Sequence, residues 1–308
     1  TKDILVPFVL ASFIYAILTP QLRWMQVKLK IPRLAAIGIT IVIFIVSITL
    51  LVLGFANSLE SFIADADQYR QKVAEFISWG TQTAAYFGVE LNAQNIKQEI
   101  AQLPLMSMAQ KFTGGIMSIL GLTTLVIIFV LFLLIGDETS TTENPFVLEI
   151  QQKVAKYISA KFFVSTATAV LVLVVLLVFG VELALLFAIL TFFLNFIPNI
   201  GSLAATVIPM PVVLLQYGLG WQFFVVLVLV GVTQFVIGNV VEPKMMGESM
   251  DLHPVAVLIF LMFWGLVWGI PGMFLSVPIT AILKIVMSRI ETTKPFAELL
   301  AGRFHVRH

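Results

Sequence analysis

Asn195, Pro198, Asn199, Gly201 and Ser202 lie close together in an otherwise apolar stretch, FFLNFIPNIGSLAATVIPMP at 192–211. Pro198 lacks a backbone donor and blocks helix continuation, while Gly201 permits a tight backbone turn. Backbone groups freed in this way must face protein or water, because hydrocarbon satisfies none of them. The side chains of Asn195, Asn199 and Ser202 add neutral donors and acceptors. Such groups suit the holding of a hydroxyl-rich molecule better than an ion. Pro209 and Pro211 follow as further breaks or hinges. Two readings fit the run equally: a loop between two spans with a Pro-bent second helix, or a re-entrant break lining a cavity.

A second polar run, GNVVEPKMMGESMDLHP at 238–254, closes another apolar stretch. Gly238, Pro243 and Gly247 read as breaks, with Pro243 stopping the preceding helix. Asn239 and Glu242 are its candidate lining groups. An acid at the end of an apolar span is costly and tends to be functional. Glu242 is therefore read either as a gating or solute-binding group or as a local helix-end contact. Lys244, Glu248 and Asp251 read as a solvated charged loop, and His253 is assigned no role. Gly269, Pro271, Gly272 and Pro278 supply the next breaks or hinges. Glu182 reads as part of a turn at the outer surface, and Gln234 as bonded to a neighbouring helix.

No constellation for covalent or metal chemistry accompanies these groups. The chain has no cysteine and three histidines, and His305 and His308 fall in the tail. Thiolate ligands and cysteine nucleophiles are excluded. Neither an enzyme, a metal site nor a cofactor is expected.

The elements that position the polar runs follow from composition. Hydrophobic residues make up 59% of the 308 positions and charged residues 11%, against about 25% charged in a soluble domain. Mean hydropathy is +1.03. From 162 to 241 the only ionisable acid or base is Glu182. Nine apolar segments can be marked, at 4–18, 35–55, 116–135, 163–179, 183–197, 203–215, 222–241, 255–268 and 273–287. In lipid these must be helices. The predicted fold is an all-α polytopic membrane protein of eight to nine apolar helices, some broken by Pro or Gly, with a small amphipathic helical insertion. The formal charge of +1 carries no nucleic-acid signal, since the basic residues sit in loops and at the C-terminal end.

Charge distribution gives the orientation. The loop at 21–34 carries Arg23, Lys28, Lys30 and Arg33 and no acid, and is placed in the cytoplasm with the tail. In 57–111 six acids outnumber four bases, which suits the outer face. Residue 1 then begins outside, and parity predicts a further transmembrane helix ahead of it. The expected divisions are N-terminal transmembrane helices at 1–56, an amphipathic region at 57–112, a transmembrane core at 113–290 and a cytoplasmic tail at 291–308. Within the amphipathic region Leu59, Phe62, Ile63, Ala66, Tyr69, Val73, Phe76 and Ile77 recur at helical spacing. A second short helix is expected between Gly88 and Pro104. This region packs either on its own bundle or against a neighbouring subunit. A surface helix is expected from Asn144 as cap and Pro145 at its first position. Its Lys153, Lys156 and Lys161 face anionic lipid headgroups.

The run Asn195–Ser202, with its P-x-x-G, resembles a signature of the AI-2E transporter family. So do the run 238–247, which includes Gly238, Asn239, Glu242, Pro243 and Gly247, and the closing hairpin with Gly269, Pro271, Gly272, Met273, Leu275, Val277 and Pro278. The likeness covers almost the whole chain and is greatest to the autoinducer-2 exporters of Gram-negative bacteria. It implies a location in the bacterial inner membrane, no cofactor and a role in quorum sensing and biofilm behaviour. It also implies a homo-oligomer, a pentamer, and one more N-terminal helix, in agreement with the parity argument. Export of a small polar signalling molecule is the leading expectation. Sodium or lithium/proton antiport is the alternative, and a membrane scaffold or sensor a further one.

Overall fold

The computed structural model describes residues 2–64, 66–86, 123–136, 145–246 and 251–303. Among them every regular element is helical. Helix α1 (Lys2–Lys28) and α2 (Arg33–Ala64) form an antiparallel pair. Ala11, Leu18, Leu22 and Met25 of α1 pack against Ala36, Ile37 and Ile41 of α2 and against Val126, Val130 and Leu134 of α4 (Thr123–Gly136). The spacing is that of single helix faces. Arg33 donates through Nη2 to the Leu134 carbonyl at 3.0 Å, meeting a free oxygen at the end of α4. Pro20 does not end α1 as the first apolar segment implied. Leu22 and Met25 remain buried beyond it, so packing continues where one backbone bond is lost.

Two further boundaries differ from expectation. Helix α2 runs through residue 56 to Ala64, and α3 (Ala66–Tyr86) follows. The short helix expected between Gly88 and Pro104, and Asn144, lie outside the described residues. Helix α5 (Pro145–Val178) is continuous over 34 residues, about 50 Å at 1.5 Å each. The expected surface helix and the following span are one rod. No Gly or Pro interrupts it after Pro145, and Tyr157, Ile158 and Ala160 are buried through the region read as a surface.

Two helical hairpins enter the bundle from opposite ends of α5. The first is α6 (Ala184–Leu194), α7 (Ile200–Val207) and α8 (Met210–Tyr217). Its two ends are stitched together: Gln216 Nε2 donates to the Gly180 carbonyl at 3.1 Å, the Glu182 amide donates to Gln216 Oε1 at 3.0 Å, and Tyr217 donates to the Phe179 carbonyl. Lys72 of α3 lies 3.6 Å from Glu182, which puts α3 at this end. Pro209 and Pro211 mark the bend between α7 and α8, where two backbone donors are missing. Helix α9 (Trp221–Val236) leaves from the same end.

The second hairpin is α11 (Pro254–Trp268) and α12 (Ile270–Ser288). Arg289, just past α12, pairs with Glu149 in the second turn of α5 at 3.0 Å, so this hairpin opens at the other end. Asp251 is not a freely solvated loop acid. Its Oδ2 accepts from Lys284 at 2.6 Å and Arg303 at 3.0 Å. The His253 amide donates to the Leu300 carbonyl at 2.8 Å, and His253 Nδ1 accepts from the Val255 amide as the α11 cap. The tail segment α13 (Lys294–Leu300) thus docks on α12, with Ala297 and Leu300 buried. Asp251→Ala should lower thermal stability in detergent by about 1 kcal/mol, the scale of well-formed but exposed ion pairs. An unchanged melting temperature would show that the tail is held by its apolar contacts alone.

Six helical stretches among the described residues are long and apolar enough to cross a membrane. Thr123–Gly136, Ala184–Leu194 and Pro254–Trp268 are apolar but shorter. Together they correspond to the nine segments marked in the sequence, of which the stretch 116–122 lies outside the described residues. Outward faces are apolar too: Val42, Ile43, Val46, Leu50 and Leu53 of α2 are exposed. In a soluble protein such a face would be anomalous, and in a bilayer it is the required one.

Candidate functional site

Three elements meet at a cavity of about 100 Å³, room for several waters or a small solute. Helix α5 contributes Lys161, Val164 and Thr168, one face of a helix by their spacing. The elbow of the first hairpin contributes Asn195, Ile197, Pro198, Asn199 and Ser202. Helix α9 and its continuation contribute Gln234, Ile237, Gly238, Asn239 and Glu242. The two polar runs of the sequence, separated by the 26 mostly apolar residues 212–237, are thereby brought face to face.

The elbow is built by three local constraints. Asn199 has φ 59 and ψ −53, and the Ile200 amide donates to the Pro198 carbonyl at 2.6 Å. That is a γ-turn with a positive-φ centre, a rare and strained form. Gly201 is required by close approach: a Cβ there would lie 1.8 Å from the Leu194 carbonyl oxygen. Ser202 Oγ donates to the Asn199 carbonyl at 3.0 Å, a second bond to an oxygen that also accepts from the Leu203 amide at 3.3 Å. Asn199→Gly should relieve the strain and raise thermal stability by about 1 kcal/mol. A lower melting temperature in that variant would mean that the Asn199 side chain holds the elbow more than its backbone strains it.

Helix α6 has 11 residues, fewer than the about 20 that a helix needs to cross the hydrocarbon, whereas α7 and α8 together make an apolar run of 18, Ile200–Tyr217, long enough to cross. Length alone therefore leaves both readings of the run open.

The second hairpin is elbowed in the same way. Gly269 has φ 70, and a Cβ on Gly272 would lie 1.9 Å from the Trp264 carbonyl oxygen. Pro271 opens α12, and Pro278 is buried within it. The two elbows touch: Phe196 stacks on Phe274 with ring centroids 5.5 Å apart.

Pro243 does not stop its helix. Residues Ile237–Val241 form a π-turn, with the Glu242 amide donating to the Ile237 carbonyl, and α10 (Glu242–Met246) continues from it. The wider turn admits the proline ring where an α-helix would clash. It also sets the facing of Glu242. In an uninterrupted α-helix Glu242 would point about 80° away from Gln234, whereas one absorbed residue brings it to within about 20°. Both side chains then reach one cavity. Asn239 donates through Nδ2 to the Phe235 carbonyl at 3.0 Å.

Glu242 has a partner that the sequence reading assigned elsewhere. Lys161 is 3% exposed, and its Nζ lies 2.5 Å from Glu242 Oε1. It does not face lipid headgroups. Glu242 is 23% exposed at its side chain, so the pair closes one side of the cavity and still borders open space. The signal was available: Lys161 and Glu242 are the charges that flank the long stretch between 162 and 241. Thr168 and Gln234 were also missed as lining groups, because single polar residues inside a span carry no spacing pattern.

On the side of the α5–α6 turn the cavity ends against a dry cluster. Val172 and Leu176 of α5, Phe187 of α6, Val213 of α8, and Val226 and Val230 of α9 are all buried there. Gly201, Pro209, Pro211 and Pro243 shape the surrounding backbone without lining the cavity; Gly269, Pro271, Gly272 and Pro278 belong to the second hairpin. Gly247 and Glu248 lie outside the described residues. No cluster able to hold a metal occurs among the described residues.

The sequence profile of the AI-2E family transporter matches residues 1–292. The chain is 29% identical to the AI-2 transport protein TqsA of Escherichia coli K12, over 97% of this chain and 90% of that one. It is 29% identical to YhhT of the same organism, named provisionally as a transport protein, over 96% of this chain and 87% of that one. A protein of Haemophilus influenzae Rd, also named provisionally as a transport protein, is 31% identical over 97% of this chain and 90% of its own.

Proposed function

From the premise that this chain belongs to the AI-2E transporter family, we propose that it exports a small, polar, uncharged molecule through the cavity between α5, the first elbow and α9. The observation that carries the reading is the lining: among the described residues Thr168, Asn195, Asn199, Ser202, Gln234 and Asn239 surround a space between apolar helices whose charged groups are one mutually paired lysine and glutamate. Amides and hydroxyls exchange hydrogen bonds with hydroxyl and carbonyl oxygens, and the one carboxylate of the lining is already held by a lysine and not open to a cation. Autoinducer-2 is the first solute to test, because a relative over nearly the whole chain carries that solute in its name. A bacterial inner-membrane location, a homo-oligomeric assembly and a part in quorum sensing and biofilm behaviour belong to the same proposal.

The test is autoinducer-2 efflux from proteoliposomes holding the purified protein, with and without an imposed proton or sodium gradient. Protein-dependent efflux without a gradient is the expected result. Absence of efflux, with sodium-dependent proton movement in the same vesicles, would replace it with the antiporter reading.

That second reading has one observation in its favour. Glu242 and Lys161 are titratable groups inside the cavity, where coupled carriers place them. If Glu242→Gln left flux and its pH dependence unchanged, proton coupling through this residue would be ruled out.

A further inference from the structure

We infer that Gln234 is a solute-binding donor, its amide nitrogen reading an oxygen of the transported molecule. The inference rests on the solute pathway proposed above and deepens it. Gln234 is 6% exposed and lines the cavity, yet its Nε2 has no hydrogen-bond partner. This departs from the sequence expectation that Gln234 bonds a neighbouring helix. Burying an amide donor without a partner costs about 1–3 kcal/mol, and an apolar side chain of the same size would avoid the cost. The position nevertheless holds a glutamine in the cavity wall, its Nε2 covered in this state, so that a turn of the side chain is what brings the donor to a ligand oxygen.

The surroundings define what that oxygen belongs to. Thr168 of α5 lies in the same wall, fully buried, with its hydroxyl donating to the Val164 carbonyl, which leaves its oxygen able only to accept. Gln234 donates and Thr168 accepts, a pairing that matches a hydroxyl group, which needs both. Toward the other end of the cavity the Lys161–Glu242 pair offers a second donor and acceptor. Along α9 the two ends are about 12 Å apart by helical rise. The ligand class is an uncharged molecule of a few carbons, hydroxylated at both ends.

The test compares wild type with Gln234→Met, which keeps the side-chain length and removes the donor. Autoinducer-2 efflux should show KM raised at least tenfold with kcat largely kept, while the melting temperature in detergent stays level or rises. A KM within twofold of wild type would overturn the inference and leave the exporter reading standing. A melting temperature lowered by several degrees would also overturn it, by showing that the amide supports the protein and not a ligand. Should wild type fail to move autoinducer-2, the exporter reading for that solute falls, and thermal protection by meso-erythritol decides the role of Gln234. Protection of wild type but not of Gln234→Met would support the donor role, and equal protection or none would overturn it.

Discussion

Glu242→Gln should reduce transport at least tenfold and destabilise the protein more than Lys161→Met does. The asymmetry comes from burial. The lysine side chain is 4% exposed and the glutamate 23%, so loss of the carboxylate strands the deeper charge. Removing one partner of a buried pair costs about 3–5 kcal/mol, with the lower end apt where water reaches one member. The double variant Lys161→Met/Glu242→Gln separates folding from function. With both charges gone, no uncompensated ion remains, and melting temperature should recover to the wild-type range. Transport should not recover, since the cavity has lost its charged end. Recovery of both would reduce the pair to a structural clamp. A double variant as unstable as Glu242→Gln alone would show that the geometry at the π-turn, more than the charge, is what the pair supports.

Gly201→Leu should abolish transport while the protein still reaches the membrane. Even a methyl group at 201 would meet the Leu194 oxygen at 1.8 Å, and backbone on both sides leaves nothing flexible to yield. The elbow would have to open, drawing Asn195, Asn199 and Ser202 away from α5 and α9. Overpacking of this kind costs about 1–3 kcal/mol or more. Pro198→Ala should impair transport less, because it restores a donor without a clash. Gly38→Leu is the matched control: it lies on the outward side of α2 with nothing within 4 Å of a Cβ, and flux should be unchanged. Membrane content by immunoblot and flux in proteoliposomes check the set. Normal flux in Gly201→Leu would remove the elbow from the pathway.

Hydropathy made the helices legible, because lipid leaves the backbone no alternative. The elbow was legible for the same reason: Asn195, Pro198, Asn199 and Ser202 are out of place in hydrocarbon unless they serve something. What escaped reading depended on the third dimension. Lys161 looked like one more lysine of a surface helix, since nothing local marks the point at which α5 passes from one environment to another. Pro243 looked like a stop because a proline ends an α-helix, and the π-turn that accommodates it leaves no mark in residue type. Gln234 gave no pattern at all; only an unmet donor in a folded protein distinguishes it from a glutamine that bonds across helices. The role of Gly201 was half legible, as a tight turn, while the neighbouring carbonyl that makes it obligatory was not.

The shortness of α6, at 11 residues, also bears on how the chain is assembled during synthesis. A segment of that length ending in an amide-rich elbow gains little by entering lipid alone, and it leaves the freed backbone groups of the elbow facing acyl chains. Helix α5 precedes it and can receive it on one side, but α9, which covers the other side, has yet to be made. The first hairpin must therefore wait near the translocation machinery or at the headgroup region until α9 emerges, and then seat itself between two helices already in place. An arrest of translation that holds α9 inside the ribosomal exit tunnel, with the hairpin already outside it, should leave this hairpin accessible to water-soluble reagents from the side at which it starts, and release of α9 should bury it.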